Sequence, residues 1–164
     1  MKDIKKNIFA FIVCVILGVC ITLAYKYLFP RSSYEVVGES MFPTYQEGAF
    51  VKVTPYKNNS TIDRYTVIVA NYKFPSSKII KRVVGLPGES IYIDDNGVVY
   101  ADEMELTEEL IYTNGAISSA GIAKEPIALD EDEYFVIGDN TANSIDSRSF
   151  GPIKRKNIVA VVQS

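Results

Sequence analysis

The chain has 164 residues, 48% of them hydrophobic, and a formal charge of −3. That is enough for one domain with an appendage, and it offers no basic surface for nucleic acid. There is no histidine, which excludes Ser-His and Cys-His mechanisms and histidine metal ligation. Both cysteines, Cys14 and Cys20, fall in an N-terminal apolar run. The remainder has no thiol nucleophile, no cysteine-based zinc site and no disulfide.

In chain order, residues 1–7 are short and basic, with Lys2, Lys5 and Lys6 against Asp3. Ile8 to Tyr25 follows without a charge, and apolar character continues past Lys26 to Phe29. At about 1.5 Å per residue this uncharged run spans roughly 27 Å, the thickness of a bilayer's hydrocarbon core. A cleaved signal peptide has a shorter apolar region ending in a small-x-small site, and Thr22-Leu23-Ala24 fits that poorly. A membrane anchor over residues 8–29 is therefore expected, single-pass, with its N-terminus cytoplasmic by the excess of lysine before the span. The domain from residue 31 to 164 is then extracytoplasmic, with lipid as one of its partners.

That domain reads as short strands: Tyr34–Val37, Ala49–Thr54, Tyr65–Tyr72, Lys78–Val84, Ser90–Asp94, Val98–Tyr100, Glu133–Ile137 and Ile158–Val162. Asp95-Asn96-Gly97 between alternating segments signals a hairpin. Thr107–Tyr112 is open between a helical turn and a strand end. Residues 94–133 carry no catalytic-looking side chains and are expected to form an inserted, mostly β subdomain. Their acidic runs suit a solvated face rather than a metal site. Asn58-Asn59-Ser60 and Asn59-Ser60-Thr61 are formal glycosylation sequons.

Three stretches carry chemistry. Gly38-Glu39-Ser40-Met41-Phe42-Pro43-Thr44 follows an extended segment, and Pro43 discourages helix at Phe42, so Ser40 falls where a strand gives way to a turn. Ile79-Ile80-Lys81-Arg82-Val83 alternates so that Lys81 shares a strand face with Ile79 and Val83, with Arg82 on the other. Unpaired lysine is rarely buried, which makes that position unusual. Gly138-Asp139-Asn140-Thr141-Ala142-Asn143-Ser144-Ile145-Asp146-Ser147-Arg148 is a run of small polar residues after an apolar strand, suited to a loop tied by its own hydrogen bonds.

Together these resemble the type I signal peptidases, membrane-anchored serine proteases with a Ser/Lys dyad. The resemblance rests on Ser40-Met41-Phe42-Pro43-Thr44, then Lys81-Arg82-Val83-Val84-Gly85 with Pro87-Gly88, then Gly138-Asp139-Asn140 with Ser144, Asp146-Ser147-Arg148 and Phe150-Gly151, in the family's order behind an anchor. It implies a mainly β fold: a β catalytic core like those of signal peptidases and repressor-type proteases, with a small inserted β subdomain and one preceding transmembrane helix. It implies cleavage of signal peptides from secreted preproteins after Ala-x-Ala-type sites, without cofactor or metal.

The roles follow on that reading. Ser40 is the nucleophile and its N–H the oxyanion donor. Lys81 is the general base. Free lysine titrates near 10.4, so holding it neutral near pH 7.4 costs about 4 kcal/mol, which burial among Ile79, Ile80 and Val83 can supply. The resemblance makes Ser144 the residue that orients Lys81, and Asp146 with Arg148 an ion pair bracing the loop. Asp139 and Asn140 brace it too. Val36, Met41 and Ile80 are the candidates for the substrate pocket. Departures from the family pattern are Gly38, where some members carry a serine donor, Glu89 for aspartate and Thr141 for arginine. The competing readings are a self-cleaving Ser/Lys regulator and a non-enzymatic membrane-anchored β module.

Overall fold

A computed structural model describes residues 2–28, 33–57, 60–107, 109–111 and 116–163. The chain divides after Arg31 into two compact units. The first is helix α1, Lys2–Leu28, 27 residues long. Its apolar side chains, among them Phe9, Phe11, Ile16 and Leu23, are exposed. Among the described residues no helix is both long and apolar enough to cross a membrane. Phe29, Pro30 and Arg31, at the end of the expected span, lie outside the described residues, as do Asn58 and Asn59 of the sequons.

The second unit is mainly β. Its strands are β1 (Ser33–Glu35), β2 (Phe50–Pro55), β3 (Val67–Tyr72), β4 (Phe74–Gly85), β5 (Ser90–Ile93), β6 (Val99–Ala101), β7 (Met104–Glu105), β8 (Ile127–Ala128), β9 (Glu133–Ile137), β10 (Ile153–Lys154) and β11 (Ile158–Val162). A seven-stranded sheet has the order β1-β2-β11-β3-β4-β9-β10, and a four-stranded sheet the order β7-β6-β5-β8. All their pairings are antiparallel.

Strand patterning explains where the core lies. In β2 Val51 and Val53 point in while Phe50, Lys52 and Thr54 point out, and β11 buries Ile158, Ala160 and Val162 in the same period-2 manner. Strand β9, between β4 and β10, is covered on both faces. Tyr134 and Val136 pack with Ile68, Ile79 and Val83, while Phe135 and Ile137 pack with Val84, Ile91, Ile93 and Val99. The four-stranded sheet thus shares a core with the larger one. A third cluster joins Val36, Met41, Val51, Val53, Val67 and Val69, with Ile80 packed against it.

Each of the eight expected strands forms, with ends moved by up to a few residues. The hairpin is present: Ile93 pairs with Val99 and the Gly97 N–H donates to Asp94 O at 3.0 Å. The open segment near residue 110 settles as a single 3₁₀ turn, Glu109–Ile111. The second sheet begins with β5 at Ser90, whose Ile91 and Ile93 are needed to fill its core.

Candidate active site

The loop from β1 to β2 is closed at its base, where Val36 N–H donates to Ala49 O and Gly48 N–H to Val36 O, both at 2.8 Å. Within it the chain turns tightly, Phe42 N–H reaching Glu39 O at 3.0 Å and Tyr45 N–H reaching Met41 O at 2.9 Å. Met41 is buried and anchors the turn in the third cluster. Ser40, one residue earlier, is half-buried and faces the β4 strand. Among the described residues no acceptor pairs with the Ser40 N–H.

Lys81 lies in β4 opposite Ile68 of β3. On the other side Arg82 pairs with Ile137, which brings Gly138, just past the end of β9, alongside Lys81. The lysine is 4% exposed, and its Nζ stands 2.6 Å from Ser40 Oγ and 2.9 Å from Ile80 O. Burial draws its pKa from 10.5 down to about 8, although the carboxylates of Asp146 and Asp139 pull the other way. At pH 7.4 a group with that pKa is neutral in about a fifth of molecules, against fewer than about one in a thousand for a free lysine.

The depressed value also has a stability consequence. Between about pH 8 and 10.5 the folded chain holds fewer protons than the unfolded one, so Lys81 destabilises the fold below that window and ceases to do so above it. Lys81→Met should therefore stabilise the protein at pH 7 by about 1–3 kcal/mol, after allowing for the two lost hydrogen bonds. Urea titrations should show that gain disappearing as the pH rises through 10.5.

The loop after β9 is built around two buried ion pairs. Arg82 grips Asp139 with Nε at 2.8 Å and Nη2 at 2.6 Å, and donates through Nη1 to Tyr65 O. Thr44 Oγ1 donates to the same Asp139 carboxylate at 2.5 Å. Arg148 grips Asp146 with Nε and Nη2, both at 2.8 Å, and also donates to Thr141 O. The second oxygen of Asp146 accepts the Gly138 N–H at 3.0 Å. Asn140 ties this loop to the nucleophile turn, its N–H on Ser40 O at 3.0 Å and its Nδ2 on Glu39 O at 3.2 Å. Each aspartate is matched by an arginine, and among the described residues no carboxylate pairs directly with Lys81.

Ser144 is brought to the same place, its carbonyl accepting from Arg148 Nη2 at 3.5 Å, but its hydroxyl makes no hydrogen bond among the described residues. Its Oγ is buried without a partner, and the expected bond to Lys81 is not formed. It abuts Gly138: a Cβ there would come within 2.3 Å of Ser144 Oγ and 2.4 Å of Ser40 O. Glycine is what lets the two serine-bearing segments close on each other. Val36, Met41 and Ile80 do come together, in one cluster, with Val36 and Met41 fully packed.

Sequence reasoning did not assign Arg82 and Thr44 to Asp139, nor find Glu89's role. Glu89 forks onto Arg64 at 2.9 and 2.5 Å and caps Leu86 N–H. Only the unusual polar content of these stretches hinted at such pairs. Among the described residues no group of acidic or sulfur side chains is arranged to hold a metal.

A β-rich core presenting a serine hydroxyl to a buried amine is the arrangement of a serine hydrolase, and comparison with known proteins narrows the class to an endopeptidase. A family model described as "Signal peptidase, peptidase S26" matches residues 6–164. Signal peptidase I V of Bacillus subtilis (strain 168) is 38% identical over 141 residues, covering 79% of this chain and 82% of that protein. Signal peptidase I of Bacillus amyloliquefaciens is 32% identical over 157 residues, covering 91% and 80%. The crystal structure of a signal peptidase I from Enterococcus faecalis V583 shares the fold, with a TM-score of 0.51 and 24% identity over 63% of this chain and 98% of that one. The chain belongs to the signal peptidase family, peptidase S26.

Proposed function

We propose that the chain is a membrane-bound type I signal peptidase that removes N-terminal signal peptides from secreted preproteins after Ala-x-Ala-type sites. The observation that carries this is the 2.6 Å approach of Ser40 Oγ to the Nζ of a lysine that is 4% exposed. Neutral Lys81 takes the Ser40 proton as Oγ attacks the scissile carbonyl, and the unpaired Ser40 N–H meets the developing oxyanion. The lysine then returns that proton to the leaving amine. A water, deprotonated by the same lysine, hydrolyses the acyl-enzyme. Ser144, with its free buried hydroxyl, turns to hold the amine in line. Asp139, Asn140, Asp146 and Arg148 keep the loop in place. Gly38 adds no side-chain donor to the oxyanion site.

An extended substrate would lie beside the β1–β2 loop, where Val37 and Phe42 expose apolar surface, as does Ile145 in the loop after β9. Of Val36, Met41 and Ile80, the partly buried Ile80 would line the pocket for a small residue before the cut, with Val36 and Met41 packed behind it. The layout that goes with this activity is a cytoplasmic stretch of residues 1–7, an anchor at 8–29 and an extracytoplasmic catalytic domain at 31–164 whose inserted portion is about 94–133. The uncharged run Ile8–Tyr25 in the sequence supports the anchor.

Incubating detergent-solubilised protein with a precursor peptide bearing Ala-x-Ala tests the reading. Cleavage after the second alanine is expected, insensitive to chelators and thiol reagents and absent in Ser40→Ala. Intact precursor with the wild type, or unchanged cleavage by Ser40→Ala, would refute it.

A further inference from the structure

The inserted segment contains a 3₁₀ turn, Gly121–Lys124, that packs against the short helix α2, Ser147–Phe150. Their contact is close at one point. Gly121 has φ +58°, and a Cβ on it would lie 2.1 Å from Arg148 O and 3.1 Å from Arg148 Cβ. Two residues earlier, Ser119 O accepts Arg148 Nη1 at 3.2 Å. The inserted segment thus touches the arginine through both its backbone and its guanidinium. From there the connection is continuous: Arg148 forks onto Asp146, Asp146 accepts the Gly138 N–H, and Gly138 separates Ser144 Oγ from Ser40 O.

We infer that Gly121, with the Ser119 carbonyl, is a positioning element for catalysis: the inserted segment presses Arg148 onto Asp146 and so sets the spacing of Ser144, Gly138 and Ser40. The inference rests on the Ser40–Lys81 reading. Glycine is required at 121 on two counts, a left-handed backbone that L side chains adopt at a cost and a gap too small for a methyl group. Arg148 also neutralises a carboxylate that acts on Lys81. Displacing the guanidinium frees the Asp146 charge to stabilise the lysine ammonium. A perturbation at Gly121 should therefore reach both the geometry and the proton balance of the site, through two intervening residues.

The test compares Gly121→Ala with Gly97→Ala in the full chain, using the Ala-x-Ala precursor peptide. Gly97 is a matched lesion in the same segment, with φ +77° and a Cβ that would lie 2.3 Å from Ile117 O, away from Arg148. Gly121→Ala should lower kcat by about tenfold or more with little change in KM, and move the acidic limb of the rate profile to more alkaline pH. Gly97→Ala should lower thermal stability comparably while its folded fraction keeps the wild-type kcat and limb. Ile122→Ala, a half-exposed side chain lying over Gly151, tolerates truncation and should reproduce both changes at smaller size; it decides alone if Gly121→Ala yields no folded protein. Wild-type kcat and limb in the folded position-121 variant, or in Ile122→Ala where that variant does not fold, overturn the inference. So does an equal effect from Gly97→Ala. If Lys81→Ala keeps activity, it is the dyad reading that fails; if Lys81→Ala is inactive while the seam variants are unaffected, only this inference does.

Discussion

Ser40→Ala and Lys81→Ala should each lower precursor cleavage by roughly four to six orders of magnitude, and the double variant should be scarcely worse than either alone. The hydroxyl and the amine are 2.6 Å apart, and on the proposed mechanism they act as one unit. Without the amine the hydroxyl keeps its proton and is a poor nucleophile; without the hydroxyl the amine has nothing to activate in the first step. What survives in each variant is binding and the oxyanion donor, which are common to all three. Single-turnover rates on the Ala-x-Ala peptide provide the measurement. Losses that multiply in the double variant would mean that the two residues serve separate steps.

The second large effect concerns stability. Asp139→Ala should destabilise the fold by about 3–5 kcal/mol, because it leaves the Arg82 guanidinium buried with no counter-charge. The side chains of this pair are 6% and 0% exposed, so water cannot replace the lost carboxylate. Thr44 loses its acceptor in the same variant. Replacing both partners with apolar residues, Arg82→Met with Asp139→Leu, should cost much less than Asp139→Ala alone, since no charge is then stranded. Urea midpoints of the three proteins at pH 7 give the comparison. If the double replacement is as unstable as Asp139→Ala, packing rather than charge governs this position.

The residues that meet at the candidate site were legible before any coordinates. With no histidine, a hydrolase needs another base, and Lys81 amid Ile79, Ile80 and Val83 stood out because a lysine there must be desolvated. Alternation in β2, β5 and β11, and the turn at Asp95-Asn96-Gly97, carried the strands in the same way, through local periodicity and turn chemistry. The two-residue strands β7, β8 and β10 and the four-residue α2 are too short to show a period. They exist because neighbours supply the other half of each pairing.

What the sequence by itself determined, then, is which groups could react and how most strands alternate, since both are properties of a residue and its near neighbours. Only the tertiary structure decided who holds whom. Arg82 meets Asp139 across 57 positions and Thr44 meets it across 95. No spacing rule spans such separations, because the partners are chosen by strand register and loop closure. The same holds for the lysine. Its neighbours in sequence announce burial, but the balance that leaves its pKa at about 8 depends on how close Asp146 and Asp139 come and on the arginines that occupy them. Distance and burial in the folded chain set that balance, and neither is a local quantity.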